Sequence, residues 1–200
     1  MDADWSVECG ADGPLVVIPW RNATGTLAYI DLRRFPGAIC EIPEAVQWPT
    51  LAEALLRWNQ TESPIFTAKC DVWAYPAGLF DAEDLPGFAF AQGCYIDLVP
   101  NAPEIFASFP AAEAQLRRWT GAAHALAGTD ARCEWTLRRA LLAEADNLPV
   151  PPPGGTYKEG FATTLYVWGY GPSPETAATA WGRALEGLIG PVLDCFGPSI

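Results

Sequence analysis

The chain is poor in the residues on which most recognisable chemistry depends. It has one histidine, His124, and two lysines, Lys69 and Lys158, beside ten arginines. Any Ser-His or Cys-His nucleophilic arrangement would have to pass through His124, which falls inside a helical pattern and reads as an ordinary, partly exposed helix residue. Neither a G-x-S-x-G nor a G-x-x-x-x-G-K-[ST] motif is present, and Gly169-Tyr170-Gly171 lacks the third glycine of a dinucleotide loop. The six cysteines, Cys9, Cys40, Cys70, Cys94, Cys133 and Cys195, stand at least 24 positions apart. That spacing excludes a C-x-x-C pair and a zinc-ligand set, and leaves them as small buried hydrophobes. The carboxylates are too scattered to suggest a metal site, and no cofactor is expected.

Long hydrophobic runs are also missing. The longest, residues 15–18 followed by Pro19 and Trp20, is far short of the about 20 residues a spanning helix needs. Residues 1–13 are acidic and carry no basic cluster ahead of an apolar run, so a cytoplasmic protein is expected. Positive charge is scarce: 12 basic residues face 24 acidic ones, a formal charge of -12. Affinity for a phosphate backbone or an anionic bilayer comes mainly from Lys and Arg, so nucleic acid and membranes are disfavoured as partners. A basic protein or a cationic ligand suits this charge, although solubility alone also accounts for it. Size and charge also fit an acidic, bacterial-type toxin-neutralising protein, an analogy of composition alone.

Aromatic and apolar residues are abundant. Half the chain is apolar and 12% aromatic, with nine tryptophans, which excludes disorder. At 200 residues one domain is expected, burying about 70% of its unfolded surface.

The chain is organised around Ala68-Lys69-Cys70-Asp71-Val72-Trp73. This stretch returns as Ala131-Arg132-Cys133-Glu134-Trp135-Thr136 and more faintly as Val7-Glu8-Cys9. Each copy precedes a second echo, Tyr29-Ile30-Asp31-Leu32, Tyr95-Ile96-Asp97-Leu98 or Tyr166-Val167-Trp168, and then a helical pattern carrying a Trp. Turn composition at residues 21–25 makes a hairpin of residues 14–20 and 26–33. Val46, Leu51, Leu55 and Trp58 fall at helical spacing, with Pro49 in the first turn of the helix proper. Strands are expected at residues 65–75, 88–99 and 161–170, with helices at 110–127 and 174–196. Propensity favours helix at residues 130–142, but the match to 65–75 assigns a strand. The segment 76–87, with Asp81-Ala82-Glu83-Asp84, reads as an acidic loop, and the proline-rich 148–155 as a surface excursion.

These elements predict an α+β fold: an antiparallel sheet of about six strands with three helices packed on one face. Three ββα-type repeats, at residues 1–62, 63–128 and 129–200 of a single domain, would build it. Strand alternation points Ala68, Cys70, Val72, Ile96, Cys133 and Val167 at the helices, together with Cys9 and Ile30. It points Tyr29, Asp31, Lys69, Asp71, Trp73, Tyr95, Asp97, Arg132, Glu134, Tyr166, Trp168 and Tyr170 the other way. A plain solvent face rarely carries so many rings, and aromatics with Arg dominate binding hot spots. The function expected is therefore a non-enzymatic binding module for a small molecule or a protein, self-association included. The alternative is a small-molecule enzyme using paired carboxylates among Asp31, Asp71, Asp97 and Glu134. Against it, Lys69 and Asp97 are expected to be ordinary cross-strand partners.

Overall fold

The computed structural model describes residues 1–76, 88–128, 130–143 and 156–195. The acidic loop and the proline-rich excursion fall almost wholly outside the described residues. Twelve elements follow in order. They are β1 (Asp2–Glu8), β2 (Leu15–Ile18), a 3-10 helix (Pro36–Glu41), α1 (Pro43–Gln47), α2 (Pro49–Trp58), β3 (Ile65–Pro76), β4 (Phe90–Pro100), α3 (Pro103–Phe106), α4 (Phe109–His124), β5 (Ala131–Ala143), β6 (Tyr157–Gly171) and α5 (Pro174–Asp194).

The six strands form one sheet in the order β1-β5-β6-β4-β3, with β2 also paired to β5 beyond the end of β1. β3, β4, β6 and β5 are antiparallel neighbours, but β1 and β2 run parallel to β5. The sheet is thus mixed, which corrects the purely antiparallel expectation. The cause lies in the first unit: residues 26–33 do not become a strand. They make a single bridge, Arg21 to Ala28, and turn bonds from Asn22 N to Leu27 O and from Tyr29 N to Trp20 O. β1 and β2 line the edge of β5 and leave no room there for a further strand.

Residues 131–143 are a strand, as their match to residues 65–75 implied. Cross-strand partners on both sides, β1 and β2 on one and β6 on the other, outweigh the helix propensity of Arg138-Arg139-Ala140-Leu141-Leu142. The expected first helix is two short ones, because the residue before Pro49 is driven to extended geometry: Trp48 has φ -124° and ψ 94°. Val46, expected on its apolar stripe, lies on α1 and is 63% exposed. α4 stops at His124, which is exposed in the last turn. Helix α5 begins with Ser173 and Thr176 capping each other's backbone N–H groups, Pro174 in the first turn.

The main core is one cluster of buried residues that joins the sheet to helices. Cys94, Ile96, Leu98, Cys133, Trp135, Leu137, Leu165 and Val167 are buried there with Leu51, Leu55 and Trp58 of α2, Leu116 and Trp119 of α4, and Trp181, Leu185 and Leu188 of α5. Trp119 stacks on Trp135 at 5.3 Å between centroids. The indole N–H groups of Trp58 and Trp119 donate to Ile189 O and Val192 O, at 3.3 and 3.1 Å, so rings and helices are locked together. Truncating any of these rings to alanine would cost about 3–5 kcal/mol. α5 lies directly on β6: a Cβ at Gly169 would sit 2.0 Å from the backbone N of Trp181.

Candidate functional site

The second face begins with a register fault. β3 and β4 pair regularly from Ile65 to Thr67 and again from Cys70 onward, with one extra residue on β3 between them. Ala68 and Lys69 therefore share the place opposite Asp97, a β-bulge that bends the strand and increases its twist. Alternation changes phase across it. Cys70 and Val72 pack against the main core as expected, but Ala68 does not: it joins Phe66, Val99, Phe106, Ala140 and Ala162 in a second cluster on the other face. Thr67 moves the opposite way, bonded through Oγ1 and N to Asn59 at the end of α2.

Val16 and Ile18 of β2 belong to that second cluster too, with Tyr29 packed on it. β2 and β3 stand at opposite edges in strand order, so their side chains meet only because the sheet curls toward this face. The far end of the face is consequently an apolar hollow filled by these side chains. Trp20 and Arg33 hold its rim. The Trp20 indole donates Nε1–H to Ala68 O at 2.7 Å. The Arg33 guanidinium lies 3.8 Å above the Phe66 ring while its Nε and Nη2 donate to the two oxygens of Asp31, at 2.9 and 3.0 Å.

The near end is the polar-aromatic strip. Cross-strand register sets it out in rows: Trp73, Gly93, Trp168, Arg132, then Asp71, Tyr95, Tyr166, Glu134. Tyr166 stacks on Trp168 at 5.5 Å with planes 9° apart. Trp73 leans over Gly93, where a Cβ would lie 2.7 Å from its Nε1 and 2.9 Å from Trp168 Cδ1. Glycine is what lets the two indoles close over the strand. Tyr170 packs against Phe88 at 5.6 Å.

Between strip and hollow lies Asp97, 7% exposed. Its direct ladder partner is Thr164, whose hydroxyl donates to Asp97 Oδ1 at 2.6 Å. Burial pushes the Asp97 carboxyl above the ordinary range. The Thr164 hydroxyl and the cations Arg138 and Lys69 pull the other way without overcoming it. Lys69 stands opposite Asp97 across the bulge, on the neighbouring strand as expected, but none of the ion pairs formed by the described residues includes it. Its ammonium instead sits between two rings, 5.3 Å from the Trp20 centroid and 5.6 Å from that of Tyr95. Arg138 donates through Nη2 to Glu8 and to the Tyr166 hydroxyl, both at 3.0 Å. Burial, with the carboxylates of Asp97 and Asp71, raises the Tyr95 hydroxyl pKa. Tyr29 is pushed up to about 12, chiefly by burial.

A cavity of about 420 Å³ opens over this junction, with Tyr95, Tyr166 and Asp97 in its floor and Trp20, Lys69, Arg138 and residues 14–17 in its walls. A second, of about 540 Å³, adjoins it across Trp20 and Lys69. It is lined on its far side by Glu41, Glu44, Tyr29 and Asp71. The expected site residues thus divide. Lys69, Tyr95, Asp97 and Tyr166 meet at the first cavity, while Tyr29 and Asp71 line the second. Trp73, Arg132, Glu134, Trp168 and Tyr170 stay on the strip, and Asp31 is engaged by Arg33. Two residues were missed. Arg138 has the parity of Arg132 and Glu134 and is found by carrying the alternation two steps further. Trp20 reaches the site through the curl of the sheet, which no local pattern encodes.

The four carboxylates of the enzyme alternative are not gathered. Asp71 and Glu134 are held apart by Tyr95 and Tyr166 in one row, and no metal-binding cluster occurs among the described residues. The thiols are no better placed for chemistry: burial pushes Cys94 and Cys133 up to about 12 and raises Cys70 as well. Compared with known protein families, curated proteins and solved structures, the chain matches none.

Proposed function

We propose that the protein is a non-enzymatic binding module whose ligand is a small molecule held in the cavity of about 420 Å³ over Tyr95, Asp97 and Tyr166. The observation that carries this reading is the cavity's make-up. It is a concavity of the size small-molecule sites have, walled by Trp20, residues 14–17, Lys69 and Arg138, with two tyrosines and a buried carboxyl converging at its floor. The aromatic strip of Trp73, Trp168 and Tyr170 forms its approach and widens the contact for a larger ligand. The scattered carboxylates favour binding over acid-base catalysis, for which Asp97 has the burial but not the carboxylate partner.

Six free cysteines support a reducing, cytoplasmic setting for this module, and no described helix is long and apolar enough to cross a membrane. The repeat reading rests on the shared order strand, strand, helix in β3-β4-α4 and β5-β6-α5, with the first unit, whose two strands both run parallel to β5, as a divergent copy. A fragment library followed by protein-observed NMR tests the function. Binders should shift the signals of Trp20, Lys69, Tyr95 and Tyr166, and shifts clustered elsewhere would sink the reading.

A further inference from the structure

The cavity reverses the charge of the protein around it. The chain as a whole has twice as many acidic as basic residues, yet the cavity is lined by Arg21, Lys69 and Arg138 and by a single carboxyl, Asp97. That carboxyl is buried and already accepts the Thr164 hydroxyl. Of the three cations, Arg138 is paired with Glu8, whereas Lys69 takes part in no ion pair among the described residues. The ring faces that would welcome a cationic ligand are taken by the protein's own cations: Lys69 lies over Trp20 and Tyr95, and Arg138 lies 5.8 Å from the Tyr166 centroid. A cation entering the cavity would meet like charge in low dielectric. An anion would find an ammonium fixed in position by two rings, with its donors unspent on carboxylate.

We infer that the ligand of this site is a small organic anion of the carboxylate class, its charged group on Lys69 and its apolar body along Val16 and Val17. This rests on the binding reading above and narrows it. The apolar part of the lining, Val16 and Val17 within it, favours a carboxylate on a hydrocarbon body over a bare inorganic anion, which has no surface to bury there. The adjoining cavity, with Glu41, Glu44 and Asp71 in its lining, repels the same ligand, so occupancy is confined to one side of the Trp20–Lys69 partition.

The test uses four probes on the intact chain, followed by NMR and by titration: 4-hydroxybenzoate, 4-hydroxybenzamide, 4-hydroxybenzylamine and inorganic phosphate. The benzoate should bind with shifts at Trp20, Lys69 and Tyr95, at least about tenfold more tightly than the amide, equivalent to about 1.4 kcal/mol. The amine and phosphate should not bind measurably. Lys69→Met should abolish the preference for acid over amide while leaving the circular dichroism unchanged, and Arg21→Gln, on an exposed residue, should reduce it less. Equal binding of acid and amide at these residues, or tighter binding of the amine, overturns the anion assignment and leaves the cavity reading standing. Phosphate binding as tightly as benzoate overturns the carboxylate class. Silence from all four probes, where other fragments do bind in the cavity, also overturns it. Shifts from the benzoate that fall outside the cavity overturn both readings.

Discussion

The indole N–H of Trp20 is bonded to the carbonyl oxygen of Ala68 at 2.7 Å, and that bond joins the two ends of the curled sheet. Trp20 follows β2, at one edge, and Ala68 is the first residue of the bulge on β3, at the other. A bulge leaves a residue out of the ladder, with its carbonyl free for an outside donor. The bond therefore fixes the wall of the cavity and holds the ring against which Lys69 is placed.

Trp20→Phe keeps a ring and removes the donor. It should cost about 1 kcal/mol of stability, the usual net worth of such a bond, read as a lower urea midpoint with an unchanged slope. Trp20→Ala should cost more and also release Lys69, so ligand affinity should fall further than stability does. Equal losses in both variants would mean that the bond, and not the ring, organises the wall.

Two glycines separate site from scaffold. At Gly169 a Cβ would sit 2.0 Å from Trp181 N and 2.5 Å from Ala177 O, all backbone, so α5 would have to lift off β6. Gly169→Ala should destabilise by about 3 kcal/mol or more, the upper end for overpacking. At Gly93 the neighbours are the ends of two indoles on an open face. Gly93→Ala should therefore cost about 1 kcal/mol and splay Trp73 from Trp168, visible as a change in near-ultraviolet circular dichroism. The reverse order of stabilities would show that the strip, not the α5 contact, is the tighter packing.

Much of this was legible in the residues. Period-two patterns located β3, β4 and β6, and the match to β3 located β5; alternation separated Cys70, Val72, Ile96, Cys133 and Val167 from Lys69, Asp71, Trp73, Tyr95 and Tyr166, because it is a local property of a strand. The failures share one physical origin, since they depend on long-range pairing. Whether residues 26–33 form a strand depends on finding an edge, and β1 and β2 had already taken the edge of β5. The phase change at Ala68 needs β4 opposite it to become visible. The curl that brings Val16 and Trp20 over Ala68 is a property of the whole sheet, as is the placing of Thr164 on the other side of Asp97 from Lys69.

Arg138 is the hinge between cavity and β1 edge, donating to Glu8 and to the Tyr166 hydroxyl while 16% of its side chain is exposed. Arg138→Met keeps the stem over Tyr166 but removes both bonds. Stability should fall by about 1–3 kcal/mol, the range for hydrogen bonds to a charged group that is largely withdrawn from water. Glu8→Gln, at the exposed end, should cost less than about 1 kcal/mol. A double-mutant cycle between the two positions measures how far Glu8 contributes to holding the guanidinium.

Asp97 gives the sharpest test, because its acidity differs between folded and unfolded chain. Burial raises its folded pKa above the ordinary carboxylate range, the Thr164 hydroxyl and the charges of Arg138 and Lys69 notwithstanding. A carboxyl with a raised folded pKa holds its proton more tightly in the folded state. Its contribution to stability is fully present below the unfolded pKa and is lost as pH rises through the folded one. Asp97→Asn keeps an oxygen for Thr164 to donate to but cannot ionise. Relative to the natural chain the variant should therefore gain stability as pH rises from the acid range, levelling off once Asp97 is ionised in the folded state. Thr164→Val removes the bond that favours the carboxylate and should move that levelling to higher pH. Urea unfolding of the three proteins across the acid-to-neutral range reads both effects. A gap between Asp97→Asn and the natural chain that does not change with pH would show that the carboxyl is hydrated, and that the floor of the cavity is open to water.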